Sequence, residues 1–112
     1  MSDKLELVMR VKYVIHVPYK VVALIGVIAC DRIKAFGRVI VDYEGQAIPG
    51  SIVGIETFGK FHKEATRGQE VALALHPTPE LRSIKKSYQE DTRSWVESSA
   101  IVYRRLSNDD TK

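Results

Sequence analysis

Apolar and polar residues alternate along the first part of the chain, and longer apolar runs follow. From Leu5 to Val17 every odd position is apolar, while most even positions carry charged or polar side chains. A period of two is typical of a half-buried β-strand. Pro18 ends this pattern, and the run from Val21 to Ala29 indicates a more deeply buried strand with Gly26 as a predicted bulge.

Three later segments also have the length and the β-branched content of strands. They read RVIVDY at 38–43, SIVGIET at 51–57 and EVALAL at 70–75, and turn signals separate them. Several short strands without a crossover helix before residue 76 predict an antiparallel sandwich or barrel. We therefore expect residues 1–76 to form a single all-β domain.

The apolar pattern changes after residue 76, where spacings of three, four and seven replace the alternation. Thr78 can cap a helix that begins at Pro79. The apolar residues that would share one helical face are Leu81, Ile84, Tyr88, Trp95, Val102 and Leu106. The pattern predicts a helical C-terminal extension at 77–106 that packs on or beside the barrel, and a flexible tail at 107–112. One helix, two helices, or a helix followed by a strand through 100–103 all fit it.

Length and charge set limits on the class of protein. The 112 residues suit one globular domain, and the formal net charge of +3 would help the protein to approach phosphate groups. Cys30 is the sole cysteine, which excludes an internal disulfide and favours a reducing cytoplasm. The run that ends at Cys30 resembles a lipoprotein cleavage box, but it is shorter than the roughly 20 residues that span a bilayer. We expect a cytoplasmic protein with no membrane association.

The segment GIETFGKF, residues 54–61, has the glycine spacing and the lysine of a phosphate-binding loop. Such a loop needs a serine or threonine after the lysine to hold magnesium, and Phe61 stands there instead. Gly68 follows too soon for the helix whose amide groups would bind phosphate. We interpret the segment as a turn.

No catalytic, cofactor or metal site is predicted. His16, His62 and His76 lack metal-ligand spacing, and the carboxylates have no recognisable base or nucleophile as a partner. Cys30 lies against an apolar strand, where an inert thiol is more common than a reactive one. We expect a non-enzymatic protein without a cofactor and without a metal.

Residues 51–75 resemble the second domain, a β-barrel, of translational GTPases such as elongation factor Tu. That family has a V-x-G-I-E-x-F strand, a connection rich in Lys and Glu, and then A-x-x-G-x-x-V before a strand of small residues. The matching positions are Val53, Gly54, Ile55, Glu56, Phe58, Ala65, Gly68, Val71 and Leu73. Upstream, residues 23–41 are similar to the strand, I-K-x-G turn and strand of the family. The resemblance covers about residues 5–75 and implies a mainly β protein, a closed antiparallel barrel of translation-factor type, without GTP binding.

The resemblance also implies a function, since barrels of this family contact ribosomal RNA or the acceptor end of tRNA. The chain would then be an RNA- or ribosome-associated module. The candidate contacts are Lys60, Phe61, His62, Lys63 and Arg67. Phe61 could stack on a base, although a ring packed into the barrel is the more frequent outcome.

A second hypothesis has no role for nucleic acid. In it the C-terminal extension is a protein interaction or self-association module, and its aromatic residues Tyr88, Trp95 and Tyr103 dock a protein partner or a second copy of the chain. An apolar face more often packs on its own domain. Salt-sensitive RNA binding would favour the first hypothesis, and concentration-dependent dimerisation would favour the second.

Overall fold

The structure, a computed structural model, describes residues 4–106, which contain eleven strands and one helical turn. The elements are β1 (Lys4–Val17), β2 (Val21–Ile28), β3 (Arg32–Lys34), β4 (Arg38–Tyr43), β5 (Gln46–Thr57), β6 (Lys60–His62), β7 (Glu64–Thr66), β8 (Glu70–Leu75), α1 (Pro79–Arg82), β9 (Tyr88–Gln89), β10 (Ser94–Trp95) and β11 (Ile101–Leu106).

Six of these strands close into an antiparallel barrel. The order around the ring is β4, β11, β1, β2, β8 and β5, and β5 pairs with β4 to complete it. β6 adds to the end of β5 as a hairpin, while β3 and β7 pair with each other in a separate small sheet. Closure leaves no unpaired edge within the ring. The predicted closed antiparallel barrel is confirmed.

The barrel interior is filled by the buried half of each alternating strand. In β2 and β8 every second residue is buried, so the remaining residues face outward. Fully buried side chains from five strands meet inside: Val14, Val22, Leu24, Val41, Leu73, Leu75 and Val102. The strands predicted at 5–17 and 21–29 correspond closely to β1 and β2.

The bulge predicted at Gly26 lies on the neighbouring strand instead. The register between β1 and β2 shifts between Val11 and Tyr13, and Gly26 is the partner of Val11. A Cβ atom on Gly26 would lie 2.5 Å from the carbonyl oxygen of Arg10, so the two backbones approach more closely than a side chain would allow.

The predicted helical C-terminal extension is wrong, although the predicted cap at Thr78 is present and the alternative of a helix followed by a strand through 100–103 matches α1 and β11. The only helix in residues 4–106 is α1, a single turn in which the amide of Leu81 donates to Thr78 Oγ1. β11 enters the barrel between β1 and β4, so Val102 is an inward-facing strand residue. The helical spacing was misleading because its apolar residues pack against distant strands and not against one another along a helix. The tail predicted at 107–112 lies outside the described residues.

The two ends of the barrel are closed differently. Residues 76–100 cross what we call the covered end, where Leu81, Ile84 and Ser87 are buried. β3 and β7 close the opposite end, the β3–β7 end, with Ile33 and Ala65 buried beneath them. No helix within residues 4–106 has the length and the apolar character needed to cross a membrane.

Candidate nucleic-acid interface

The segment that imitates a phosphate-binding loop is a β-hairpin. Thr57 pairs with Lys60, which leaves Phe58 and Gly59 as a two-residue turn between β5 and β6. The φ angles of these two residues are 48° and 79°. Positive φ at both central positions is the signature of a type I′ hairpin turn. The interpretation of GIETFGKF as a turn is confirmed.

The five residues predicted to contact RNA are all exposed, but two of them have local partners. His62 Nε2 lies 2.6 Å from Thr57 Oγ1, across the β5–β6 hairpin. Arg67 lies 2.9 Å from Asp31 Oδ1 and also donates from Nε to the carbonyl of Ala29. Arg67 therefore fixes the turn after β2, and its charge is largely offset by Asp31.

Phe61 lies on the outside of the barrel, and the expectation that its ring packs into the interior is wrong. The residue is 76% exposed. It pairs with Glu56 on β5, and its ring lies over Gly54, where an added Cβ would be 3.6 Å from two ring carbons. Because glycine has no side chain to displace the ring, Phe61 lies on the strand while much of its surface remains open to a ligand.

The turn between β3 and β4 brings a second exposed aromatic residue to the same region. Phe36 is 82% exposed, and its φ of 71° is unusual for a residue other than glycine. Its amide donates to the carbonyl of Ile52 at 2.8 Å, and the amide of Ala35 donates to the carbonyl of Lys63 at 2.8 Å. These bonds place the turn beside β5 and beside the residue that follows β6.

Cations lie close to these two rings in the chain, and Glu56 is the cross-strand partner of Phe61. Lys34 and Arg38 flank Phe36 along the chain, and Lys60 and Lys63 flank the β6 segment that contains Phe61. We call these six residues the turn surface: Lys34, Phe36, Arg38, Lys60, Phe61 and Lys63. Lys34, Phe36 and Arg38 were not among the predicted contacts, although the sequence contained a signal for them. KAFGR at 34–38 places an aromatic residue between two cations in a turn.

A basic concavity opens next to the turn surface at the β3–β7 end. Its cationic lining residues are Arg32, Lys34, Arg38 and Arg104, and its carboxylate is Asp31. Asp31 already pairs with Arg67, and Arg104 pairs with Glu6 at 2.6 Å at the barrel mouth. Neighbouring cations in a concave surface give a positive potential that attracts phosphate groups.

Cys30 lies buried beside this concavity and has the character of a structural thiol. Burial raises the pKa of Cys30, and the nearby Arg104 only partly opposes that effect. A raised pKa keeps the thiol protonated and weakly nucleophilic at neutral pH. Within residues 4–106, no three side chains of His, Cys, Asp or Glu come together in a way that could hold a metal ion.

The three aromatic residues predicted to bind a partner are separated by the fold. Tyr88 and Trp95 face each other across β9 and β10 with ring centroids 5.3 Å apart, and Trp95 packs edge-on against Tyr13 at 5.2 Å. Tyr103 lies on β11, in register with Leu7 of β1. Trp95 thus packs on the protein's own barrel and Tyr88 packs on Trp95, although Trp95 remains 51% exposed.

The fold is a small closed barrel of six antiparallel strands, which is compatible both with OB-fold barrels and with barrels like the second domain of elongation factor Tu. No model of a known protein family matches the chain, and no curated protein matches it.

Proposed function

We propose that this protein is a non-enzymatic RNA-binding module that recognises unpaired bases through the turn surface. The observation that carries this proposal is the exposure of two phenylalanines, Phe36 and Phe61, on two hydrogen-bonded segments that also carry Lys34, Arg38, Lys60 and Lys63. Rings offer stacking platforms for bases, while Lys and Arg side chains bind the phosphates between them.

The geometry favours unpaired bases over a duplex. Bases in a duplex are stacked on one another, so an exposed ring can reach only a base that has been splayed out. Stacking of one base on an aromatic side chain contributes about 1–3 kcal/mol, and it tolerates any sequence. The proposed ligand is therefore single-stranded RNA, with little dependence on base identity.

The backbone at Phe36 holds its ring in a fixed position. A left-handed conformation costs a residue with a Cβ about 1–2 kcal/mol relative to the right-handed one, and glycine largely avoids this cost. The ring contributes little burial in return, since Phe36 is 82% exposed. Two backbone hydrogen bonds with Ile52 hold the turn. The amide of Phe36 donates to the carbonyl of Ile52, and the amide of Ile52 donates to the carbonyl of Gly37. The ring is thus presented from a fixed backbone, which reduces the entropy cost of binding.

The family resemblance supports the same class of ligand. Barrels of the elongation factor Tu second-domain type contact ribosomal RNA or the acceptor end of tRNA, and the confirmed barrel is compatible with that type. We propose a cytoplasmic module of this type that binds ribosomal RNA or tRNA through the turn surface.

Fluorescence anisotropy with a labelled single-stranded RNA of about 12 nucleotides tests the proposal. We expect Phe36→Ala and Phe61→Ala each to weaken binding by roughly 5- to 150-fold, the equivalent of removing the stacking of one base. The matched control is Phe58→Ala, which removes a fully exposed ring at the turn of the same hairpin, next to a concavity that Glu70 lines. Binding should be unchanged in the control.

A salt series on the same RNA separates the electrostatic contribution. For single strands, the slope of log affinity against log salt falls in magnitude by about 0.7 for each phosphate that the protein no longer neutralises. Lys34→Ala should reduce the slope by about this amount, whereas Lys85→Ala should not, because Lys85 lies beside Tyr43 at the covered end. Absence of binding at any salt concentration, or equal effects of Phe36→Ala and Phe58→Ala, would reject the proposal. A dimer in sedimentation under the same conditions would then favour the aromatic residues Trp95 and Tyr88 as a protein interface.

A further inference from the structure

The outer side of the barrel next to the turn surface carries a second pair of arginines. Tyr103 on β11 pairs with Ile40 on β4, and Arg105 and Arg38, each two residues beyond that pair, line the same concavity. On their other sides, Arg105 pairs with Leu5 and Arg38 pairs with Ser51. Two guanidinium groups and a hydroxyl group therefore occupy adjacent places in one row across three strands.

This row borders a concavity that both arginines line. Ser51, His76 and Thr78 contribute further polar groups to it, and Ile40 and Pro49 contribute an apolar floor. Guanidinium groups bind phosphate oxygens through paired N–H donors, and donors from two strands can hold one phosphate from two sides. The row is therefore suited to an anion of the phosphate type.

The next row toward the covered end is apolar and aromatic. Tyr103, Ile40 and Pro49 are consecutive cross-strand partners on β11, β4 and β5. Their strand neighbours Val39, Val41 and Val102 are buried in the core, so this row faces outward by the alternation of side chains along a strand. An aromatic side chain next to a phosphate site is the combination that a nucleotide requires.

Arg38 joins this region to the turn surface. It lines both the basic concavity at the β3–β7 end and the concavity on the outer side of β4. We define the strand surface as Arg38, Ile40, Ser51, Tyr103 and Arg105. The cationic side chains Lys34, Arg38 and Arg105 therefore line two concavities that share Arg38.

We propose that the strand surface is the second half of one binding track, and that the preferred ligand is a single strand of RNA long enough to occupy both halves. This inference rests on the proposed function of the turn surface. A strand stacked on Phe36 would place a following phosphate near Arg38 and Arg105, and the next base near Tyr103. The charge of the track commits it to a polyanion.

The test compares the wild-type protein and its variants on RNA probes of about 4 and about 12 nucleotides. Arg105→Ala should weaken binding of the longer RNA by roughly tenfold, the effect of removing one charge-assisted hydrogen bond, and leave the shorter RNA unaffected. Tyr103→Ala should act on the longer RNA in the same way. Phe36→Ala should weaken binding of both probes, since the shorter RNA occupies the turn surface alone.

Arg93→Ala is the matched control for removal of an arginine. Arg93 lies in the turn before Ser94 and Trp95, and this segment packs on Tyr13 of β1. Arg105 pairs with Leu5, near the other end of β1, so the two arginines lie far apart. It should change neither affinity. Arg105→Lys retains the charge and provides a second test if the alanine variant does not fold. It should recover part of the affinity for the longer RNA, and thermal melting of each variant verifies the fold.

The outcomes separate this inference from the proposed function. If both RNA lengths bind equally and Arg105→Ala and Tyr103→Ala affect neither, the track is wrong while RNA binding by the turn surface stands. If uridine monophosphate binds in an Arg105-dependent way without displacing either RNA, the strand surface is a separate mononucleotide site and the track is again wrong. If neither RNA binds, both proposals fail.

Discussion

The polar groups of the segments that close the two ends of the barrel differ: at one end they form hydrogen bonds inside the protein, and at the other they face outward. At the covered end the connecting segment turns inward: the amide of Val14 donates to Ser87 Oγ at 2.8 Å, and the ring Nε2 of His16 lies 2.7 Å from the carbonyl of Ile84. At the β3–β7 end, two three-residue strands bury only Ile33 and Ala65 and leave charged groups facing outward.

This difference indicates that one end of the barrel contributes mainly to stability and the other mainly to ligand binding. The covered end contributes apolar burial and satisfied hydrogen bonds, so we expect changes there to alter stability and leave ligand binding intact. The β3–β7 end contributes exposed rings and cations that a fold does not need, so changes there should alter binding more than stability. A barrel scaffold of this kind can carry a binding surface on its turns without altering its core.

The largest expected effect comes from truncating the apolar side chain that seals the covered end. Leu81 is fully buried, and one of its methyl groups would lie 3.7 Å from a Cβ added at Gly50. Leu81→Ala should lower the free energy of unfolding by about 3 kcal/mol, through reduced burial and the cavity left behind. Urea denaturation measures this directly.

The matched change at the other end is Leu106→Ala. Leu106 is 42% exposed near the β3–β7 end, so its removal should change stability by less than about 0.5 kcal/mol. Equal decreases in stability in the two leucine variants would show that the covered end does not dominate stability.

A smaller decrease in stability is expected from Ser87→Ala. The Ser87 hydroxyl accepts the amide of Val14, and the amide of Ser87 donates to the Val14 carbonyl at 2.9 Å, so the side chain completes a reciprocal pair. Its removal leaves a buried N–H without its acceptor, which costs about 2 kcal/mol. Thermal or urea unfolding should show this decrease, and RNA affinity should not change.

Ser99→Ala is the control for this substitution, because Ser99 is exposed and, within residues 4–106, its hydroxyl makes no hydrogen bond to the barrel. It should leave the free energy of unfolding nearly unchanged. A fall in RNA affinity in Ser87→Ala at temperatures where it remains folded would contradict the division between the two ends, since it would show that they are coupled.

The barrel was predictable from the sequence because its strands follow simple local rules. The alternation from Leu5 to Val17 and the turn residues Phe58 and Gly59 each specify local structure without help from distant residues. The prediction of a helix in the C-terminal segment was wrong because the apolar residues of this segment do not pack against one common surface. Leu81 packs at the covered end, whereas Val102 faces the barrel interior from β11, and only tertiary contacts distinguish that arrangement from a helix.

The candidate site was half predictable for a related reason. Lys60, Phe61 and Lys63 are close in sequence, so an aromatic residue among cations could be recognised there. Phe36 joins them through hydrogen bonds to Ile52 and between Ala35 and Lys63, which link segments remote in the chain. Arg67 had the right charge, but its pairing with Asp31 depends on the fold of two separate turns.

The last expected change in stability separates the two ends most clearly, because its sign is opposite to that of Leu81→Ala and Ser87→Ala. Phe36→Gly places glycine at a φ of 71°, where the absence of a Cβ relieves strain. We expect the free energy of unfolding to rise by about 1 kcal/mol, while RNA affinity falls as it does in Phe36→Ala. Phe36→Ala keeps the Cβ and should lose affinity without a similar gain in stability. Denaturation and anisotropy on the two variants therefore separate the backbone from the ring. If Phe36→Gly were less stable than the wild type, the ring would have a packing role. If the affinity of the Phe36→Gly variant for RNA were unchanged, stacking of a base on Phe36 would be excluded.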